Sequence, residues 1–508
     1  MGKEIFSRPA RLGALITGDS EESIVHLFTE KRILVRLEAQ FLEVADARET
    51  FLFAVNQCLR FCSNIGVLVA PGPGELTRAC DSLAARIHGP AATVEVVEKL
   101  TSRSFDAVIN VGREVFQDFP SATINSSGWV ARVATSGSMT RELCWIPGTP
   151  NALGALCAAS LGAGAAFFAI LGKPLTLSTE TCLFNHEVAP LGELETGPPL
   201  PASPLWLDAF LVGCGAVTNG WAYAVNRLPI VGRLQAIDNQ SLRLENIWSY
   251  VAVGRESVGK PKAAVIKELL PPAIDVAARS DQWELFKIWL DHGLEVPPLI
   301  ITGLDNVTTR HSVQRLWPET LIDMGAGGLQ SQVIVKRKNN DGLCLLNALT
   351  IPPDEKDWAE GLAAATGLDP AIIASDPTGA ITQAEVDAAP ADKKAELQEA
   401  VGKPRCGHIN RQSLEMEGYD TDFAPAVPFV TAFSGIRGAA ETMKWLMGHR
   451  YPHSLHFQHS FASGRSRALD MTCNPGCECQ VPRDLKTFPV SNPAQRKRRI
   501  SNEEESRI

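Results

Sequence analysis

Leu207-Asp-Ala-Phe-Leu-Val-Gly-Cys-Gly-Ala-Val-Thr-Asn-Gly220 is the stretch that decides the fold. The apolar run Leu207–Val212 reads as a short buried strand, Gly213-Cys-Gly215 as a tight turn, and the residues towards Asn226 as a helix. A strand that enters a glycine turn and leaves as a helix opens a dinucleotide-type fingerprint. The two glycines let the backbone turn and approach phosphate, and the helix start presents unpaired N–H groups. The third glycine position is Thr218, with Gly220 two residues on. Taken alone, the turn reads equally as a nucleotide site or as an ordinary tight turn. Asp238 favours the nucleotide. It ends the next strand, Arg233-Leu-Gln-Ala-Ile237, where a carboxylate accepts hydrogen bonds from a ribose.

Strand-then-turn grammar recurs on both sides of this unit. Upstream, Gly66-Val-Leu-Val-Ala70 precedes Pro71-Gly-Pro-Gly74 and a helical pattern from Glu75 to Ile87, and Phe105-Asp-Ala-Val-Ile-Asn-Val-Gly112 repeats it. Downstream, Leu299-Ile-Ile-Thr302, Leu321-Ile-Asp323 and Gln332-Val-Ile-Val-Lys336 are strands, and a helix runs from about Val427 to Met447. Asn151 to Leu171 is rich in Ala, Gly and Leu and is long enough for a membrane span. Its small residues suit a tightly packed soluble helix, and no basic cluster flanks it. Glu195 to Pro204 is a proline-rich linker, and Pro352 to Pro404 shifts to Ala, Asp, Glu and Pro, as an inserted, solvated helical segment does.

The 508 residues carry 45% apolar and 21% charged side chains, a globular composition, and predict two to four domains. A net charge of −9 argues against a general binder of nucleic acid or of anionic membranes. Met1 to Pro9 shows no signal-peptide pattern, and twelve scattered cysteines fit a reducing cytoplasm better than a disulfide scaffold.

The order of short motifs after the glycine turn is more specific than the turn. Asp238 is followed by Leu244-Glu-Asn246, Gly259-Lys-Pro-Lys262, Leu304-Asp-Asn-Val-Thr-Thr-Arg310 and Asp323-Met-Gly-Ala-Gly-Gly328, then by the late helix with Glu441 and Lys444. In this the chain resembles the ThiF/MoeB/HesA superfamily, the adenylating domain of ubiquitin-activating enzymes, over about 205–448. The sixteen-residue separation from Asn246 to Lys262 is the family's. The resemblance implies an α/β fold with a Rossmann-like adenylation domain at 205–450, carrying the insert at about 352–404. Residues 1–200 are expected to form an inactive α/β relative of that domain, and 451–508 a small Cys/His-rich tail.

It also implies roles. Joining a carboxylate to the α-phosphate of ATP brings two anions together, so positive charge and a metal are needed. Lys262 would neutralise phosphate, Asp305 would hold Mg²⁺, Asp238 the ribose, and Asn246 a polar contact near the phosphates. Gly213 and Gly215 would let the backbone approach. One position departs from the family. The arginine three residues after the Asn is Ser249, so a guanidinium is missing. Arg243, Arg255 or an arginine of the first region are the alternatives for replacing it; otherwise the domain is a decayed scaffold.

Two cysteine groups matter. Cys406, in Lys403-Pro-Arg-Cys-Gly-His-Ile409, has cationic neighbours that favour a thiolate, and related thiol-transferring members carry their nucleophile in the loop before the late helix. A structural thiol and a metal ligand are the alternatives. Cys473-Asn-Pro-Gly-Cys477-Glu-Cys479 suits a tetrahedral Zn²⁺ site lacking one ligand. Cys344 is the best fourth ligand, with His453, His456 and His459 as alternatives. Its expected pair partner is replaced by Asn347. The function implied is activation of a ubiquitin-like protein, with transfer to a conjugating-enzyme-like partner, by a homodimer, in bacterial antiphage defence. The alternatives are a MoeB-like or peptide-modifying adenylyltransferase without a thioester, or a non-catalytic subunit. A nicotinamide oxidoreductase would leave Lys262 and Asp305 without a role.

Overall fold

A computed structural model describes residues 5–69, 74–100, 104–145, 149–338, 342–351, 363–364, 366–376, 379–403, 405, 408, 426–450, 454–470, 472–474 and 476–480. The β-branched and leucine-rich runs of the first 200 residues form eight strands: β1 (Arg32–Leu37), β2 (Asn64–Val69), β3 (Glu95–Val96), β4 (Ala107–Val111), β5 (Ser121–Ser127), β6 (Val130–Thr135), β7 (Ser178–Cys182) and β8 (Val188–Ala189). Eight more follow: β9 (Leu205–Val212), β10 (Ile230–Ile237), β11 (Ile274–Arg279), β12 (Leu299–Thr302), β13 (Thr320–Gly327), β14 (Gln330–Arg337), β15 (Leu455–Ser460) and β16 (Arg465–Asp470).

The two sheets have the same order, strand for strand: β3-β2-β1-β4-β5-β6-β7-β8 and β11-β10-β9-β12-β13-β14-β15-β16. In each, the first five strands are parallel and the last three antiparallel. The order reverses at β1/β4 and at β9/β12, and such switch points are where open α/β sheets bind ligands. Residues 455–470, within the Cys/His-rich C-terminal segment, complete the second sheet.

One continuous apolar core runs through both halves. The helix Ala152–Ile170 lies inside it, against the helices Ala45–Cys58 and Pro428–Leu446 and strands β5 and β6. It is the one described helix long and apolar enough to cross a membrane, and it is 94% buried within the molecule. Its small residues explain the tight packing: a Cβ on Gly154 would stand 2.4 Å from the Gly128 carbonyl oxygen. The inserted segment has a small core of its own, Leu368, Ile373, Ile381, Val386 and Leu397, which meets Leu285 on the helix Trp283–Asp291.

The first switch point is closed by its own side chain. Where β9 runs into Gly213, β1 runs into Glu38, whose Oε1 accepts from Asn110 Nδ2 at 2.7 Å and from the main-chain N–H groups of Arg113 and Glu114 at 2.9 Å. The position of a Cβ on Gly112 is filled by the Glu38 carboxyl group. The N–H groups at the end of β4 therefore already hold an anion.

Candidate functional site

The second switch point is built around the glycine turn. Gly213 has φ +82°, the left-handed region that favours glycine, and a Cβ there would lie 2.9 Å from Leu304 Cδ2. Gly215 caps the helix Ala216–Val225 without any side-chain hydrogen bond. The glycine missing at position 218 is answered across the gap. Thr218 Cγ2 stands 2.6 Å from where a Cβ on Gly303 would be, so the small residue sits on the facing loop.

Asp238 ends β10 beside the turn. Its Oδ2 accepts from Cys214 N–H at 2.7 Å and its Oδ1 from Gln240 N–H at 2.8 Å. Each oxygen keeps a second lone pair for a ligand hydroxyl. Lys262 opens the helix Lys262–Leu269, is buried, and donates from Nζ to Gln240 Oε1, with the Tyr250 ring centroid 5.9 Å from Nζ. Burial alone pulls its pKa down, but Tyr250, Asp238 and Asp305 together outweigh burial and raise it, so the ammonium stays charged. The Tyr250 hydroxyl lies beside Gly215, 3.8 Å from where a Cβ would be. Asn246 braces the intervening loop, its Oδ1 accepting from Arg243 N–H at 2.8 Å. Asp305 is exposed just past β12.

Ser249 is fully buried, and the nearest guanidinium comes from the other half: Arg8 Nη1 lies 3.5 Å from Ser249 Oγ. Arg8 sits on the helix Ser7–Thr17, with Nη2 3.8 Å from Glu245. Burial lowers its pKa, and the carboxylates of Glu245 and Asp305 work against that. Of the three alternatives for replacing the missing arginine, the structure brings the one from the first region to the place. Arg255 instead donates to the Ile87 carbonyl, and Arg243 lies towards Glu245.

Gly213, Gly215, Asp238, Asn246 and Lys262 thus converge, with Asp305 close enough to act electrostatically on both Lys262 and Arg8. Tyr250 and Gln240 were not singled out in the sequence, because neither carries a charge or sits in a spaced motif. Arg310 pairs with buried Asp323 at 3.3 Å and donates to the Met324 carbonyl at 2.9 Å, a brace between the helix Val307–Gln314 and β13. Burial raises Asp323 to about 6 against the pull of Arg310.

Cys344, Cys473, Cys477 and Cys479 come together elsewhere, their sulfurs all within 4.8 Å of one another and Cys344 Sγ 3.5 Å from Cys477 Sγ. Four thiolates around one Zn²⁺ at about 2.3 Å each would stand about 3.8 Å apart, so the set fits. Hydrogen bonding from Cys344 draws the Cys473 pKa down to about 5, while burial lifts Cys479 to about 12. So crowded a group ionises together only around a cation. Asn347, at the position of the missing cysteine, accepts from Asn474 N–H at 2.7 Å and ties the Cys473 loop down. His456 and His459 lie on β15 and are not part of the cluster; His453 lies outside the described residues.

Cys406 lies outside the described residues. Of its neighbours, Arg405 is bound to Glu385 at 2.6 Å and to Asp376 at 2.9 Å, and it holds the Glu385 carboxyl down to about 2. His408 Nε2 lies 3.3 Å from the Thr366 carbonyl oxygen.

A sequence model of the ThiF family matches residues 207–481. A protein described as "Uncharacterized protein y4jF", from Sinorhizobium fredii (strain NBRC 101917 / NGR234), is 26% identical over 164 residues, 32% of this chain and 31% of that protein. The chain thus spans about a third of the length of the curated relative it matches. Among solved structures, E. coli MccB with MccA-N7isoASN is 16% identical with a TM-score of 0.34, over 54% of this chain and 66% of that one. E. coli MccB alone is 17% identical with a TM-score of 0.33, over 55% and 67%.

Proposed function

Because this chain belongs to the ThiF family, we propose that its second half uses ATP to adenylate the C-terminal carboxylate of a ubiquitin-like protein. One observation carries the reading. Two cations from different halves, buried Lys262 and part-buried Arg8, meet beside a glycine turn whose helix start has no side-chain cap, with carboxylates flanking it. That is a site for a polyanion with a sugar attached.

The chemistry asks for charge and not for a base. A carboxylate oxygen attacks the α-phosphorus, the bond from that phosphorus to the bridging oxygen breaks, and pyrophosphate leaves with the electron pair. No proton moves. Lys262 and Arg8 stabilise the charge that builds on the phosphates, and Asp238 takes the ribose hydroxyls. Mg²⁺, for which Asp305 is the carboxylate at hand, supplies further neutralisation of the phosphates when bound. Asn246 shapes the loop that brings Tyr250 against Lys262.

The further steps are proposed on the family resemblance: a thioester on Cys406, then transfer to a conjugating-enzyme-like protein in a cytoplasmic antiphage system. A second reading, adenylation with no thioester, is favoured by the two carboxylates that engage Arg405. Their charge offsets the cation expected to activate the neighbouring thiol. The two halves, alike in strand order and joined by one core, are read as an internal pair standing in for the expected homodimer. The first half is read as the inactive member because Glu38 occupies its switch point.

The test is ATP–pyrophosphate exchange with candidate carrier proteins ending in glycine. The parent exchanges, and Cys406→Ala exchanges within about twofold, since thioester formation follows adenylation. A thiol-sensitive covalent adduct with the carrier forms in the parent and not in Cys406→Ala. Exchange without any such adduct selects the second reading; no exchange with any carrier rejects both.

Zn²⁺ on Cys344, Cys473, Cys477 and Cys479 would staple the end of the chain to the loop after β14. Cys473→Ser is expected to lose one equivalent of zinc by atomic absorption, and its melting midpoint to fall by about 5 °C or more. Full zinc content in that variant would refute the ligand set.

A further inference from the structure

Arg60, two residues past the helix Ala45–Cys58, is 1% exposed and faces no carboxylate at hydrogen-bond distance. Its donors go to the other half of the molecule. Nη1 donates to the Ile247 carbonyl oxygen, and Nη2 donates to those of Val251 and Val253, both at 3.0 Å. Nε and Nη2 also reach Asn56 Oδ1 at 3.1 and 2.9 Å, and Asn56 Nδ2 donates to the Val251 carbonyl at 2.8 Å. Burial, with Arg86 next, lowers the Arg60 pKa to about 9, so it remains a cation at neutral pH. A buried cation held only by amide dipoles is costly, and it is kept where those dipoles are fixed in place.

The carbonyls it grips bracket Ser249 and Tyr250. The same loop is pinned from its own half: Thr431 Oγ1 donates to the Ser249 carbonyl at 2.9 Å, and Ala252 N–H donates to Asn219 Oδ1 at 2.7 Å. Asn219 lies on the helix that starts at the glycine turn. Tyr250, in the middle of the loop, packs against Lys262, whose Nζ lies 5.9 Å from its ring centroid, and sets its hydroxyl beside Gly215.

We propose that Arg60, supported by Asn56, is a positioning residue: through the Ile247–Val253 loop it holds Tyr250, and with it the Lys262 ammonium, at the glycine turn. The first half thereby sets the geometry of the second half's site. The proposal rests on reading that site as a nucleotide site.

Two measurements on the full chain test it, neither needing a carrier protein. Arg60→Lys keeps the charge but loses the planar fork that serves three carbonyls at once. Asn56→Ala keeps Arg60 and removes its support and one carbonyl bond, as a milder variant should Arg60→Lys fail to fold. In hydrogen–deuterium exchange, amides of residues 247–253 are expected to exchange about tenfold faster in Arg60→Lys, with Leu205–Val212 unchanged. By calorimetry with Mg²⁺ and ATP, the dissociation constant is expected to rise about tenfold in Arg60→Lys and by about threefold in Asn56→Ala. Unchanged loop exchange in both variants overturns the clamp. A loosened loop with unchanged ATP affinity overturns the positioning role. A parent that binds ATP but never exchanges pyrophosphate leaves the positioning result standing and refutes only the adenylation reading; a parent that binds no ATP refutes both.

Discussion

Replacing Arg8 by alanine lowers ATP–pyrophosphate exchange by about 10²–10³-fold, the usual loss for one charge-stabilising donor in a dry site. The argument starts at Ser249, a buried hydroxyl where the family pattern has a guanidinium, and no serine can carry that charge. Arg8 brings a cation to within 3.5 Å of that hydroxyl from a helix near the start of the chain. Glu245 and Asp305 are the carboxylates that act on its charge. Arg8→Lys is expected to keep part of the rate, since an ammonium gives charge without the fork. Adding Ser249→Arg to Arg8→Ala is expected to recover at least about tenfold, because the space emptied by Arg8 adjoins position 249. Exchange within about threefold of the parent in Arg8→Ala would mean that the guanidinium does not act on the phosphates. A fall with no recovery in the double variant, at an unchanged melting midpoint, would assign Arg8 to binding of the partner instead.

Asp305→Ala abolishes exchange, a loss of about 10³-fold or more, which corresponds to several kcal/mol of charge stabilisation. Asp305 is exposed on the loop that leaves β12. Its removal touches no core, and stability should stay within about 0.5 kcal/mol of the parent. Excess Mg²⁺ should not restore the rate, whereas Asp305→Glu is expected to regain part of it at raised Mg²⁺. Retained exchange in Asp305→Ala would contradict the metal role, and an unfolded variant would contradict the surface placement.

Much of the second half could be read before any coordinates. Leu207–Gly220 announces strand, turn and helix, because glycine at φ > 0 and a short apolar run are local signals. The motif order to Arg310 then predicts which residues meet. Strand β1, Arg32-Ile-Leu-Val-Arg-Leu37, escaped notice despite its apolar run, and others lack that signal. β5, Ser121-Ala-Thr-Ile-Asn-Ser-Ser127, is buried throughout yet mostly polar; Thr123 donates to the Glu114 carbonyl and Asn125 Nδ2 to those of Gly112 and Cys144. β15 and β16 were hidden in a stretch read as a His-rich tail.

By its sequence alone, this chain is committed to a glycine turn, a carboxylate at the end of the next strand, a lysine sixteen residues past Asn246 and a cysteine cluster short of one ligand. Each is a matter of residue type at short spacing, where backbone geometry leaves little choice. Only the tertiary structure decides that Arg8 faces Ser249 across 241 positions, that Arg60 grips a loop 187 to 193 positions away, and that Glu38 shuts the first half's own switch point. Those pairings depend on how two like sheets share one core, and no periodicity within either half encodes the contact between them.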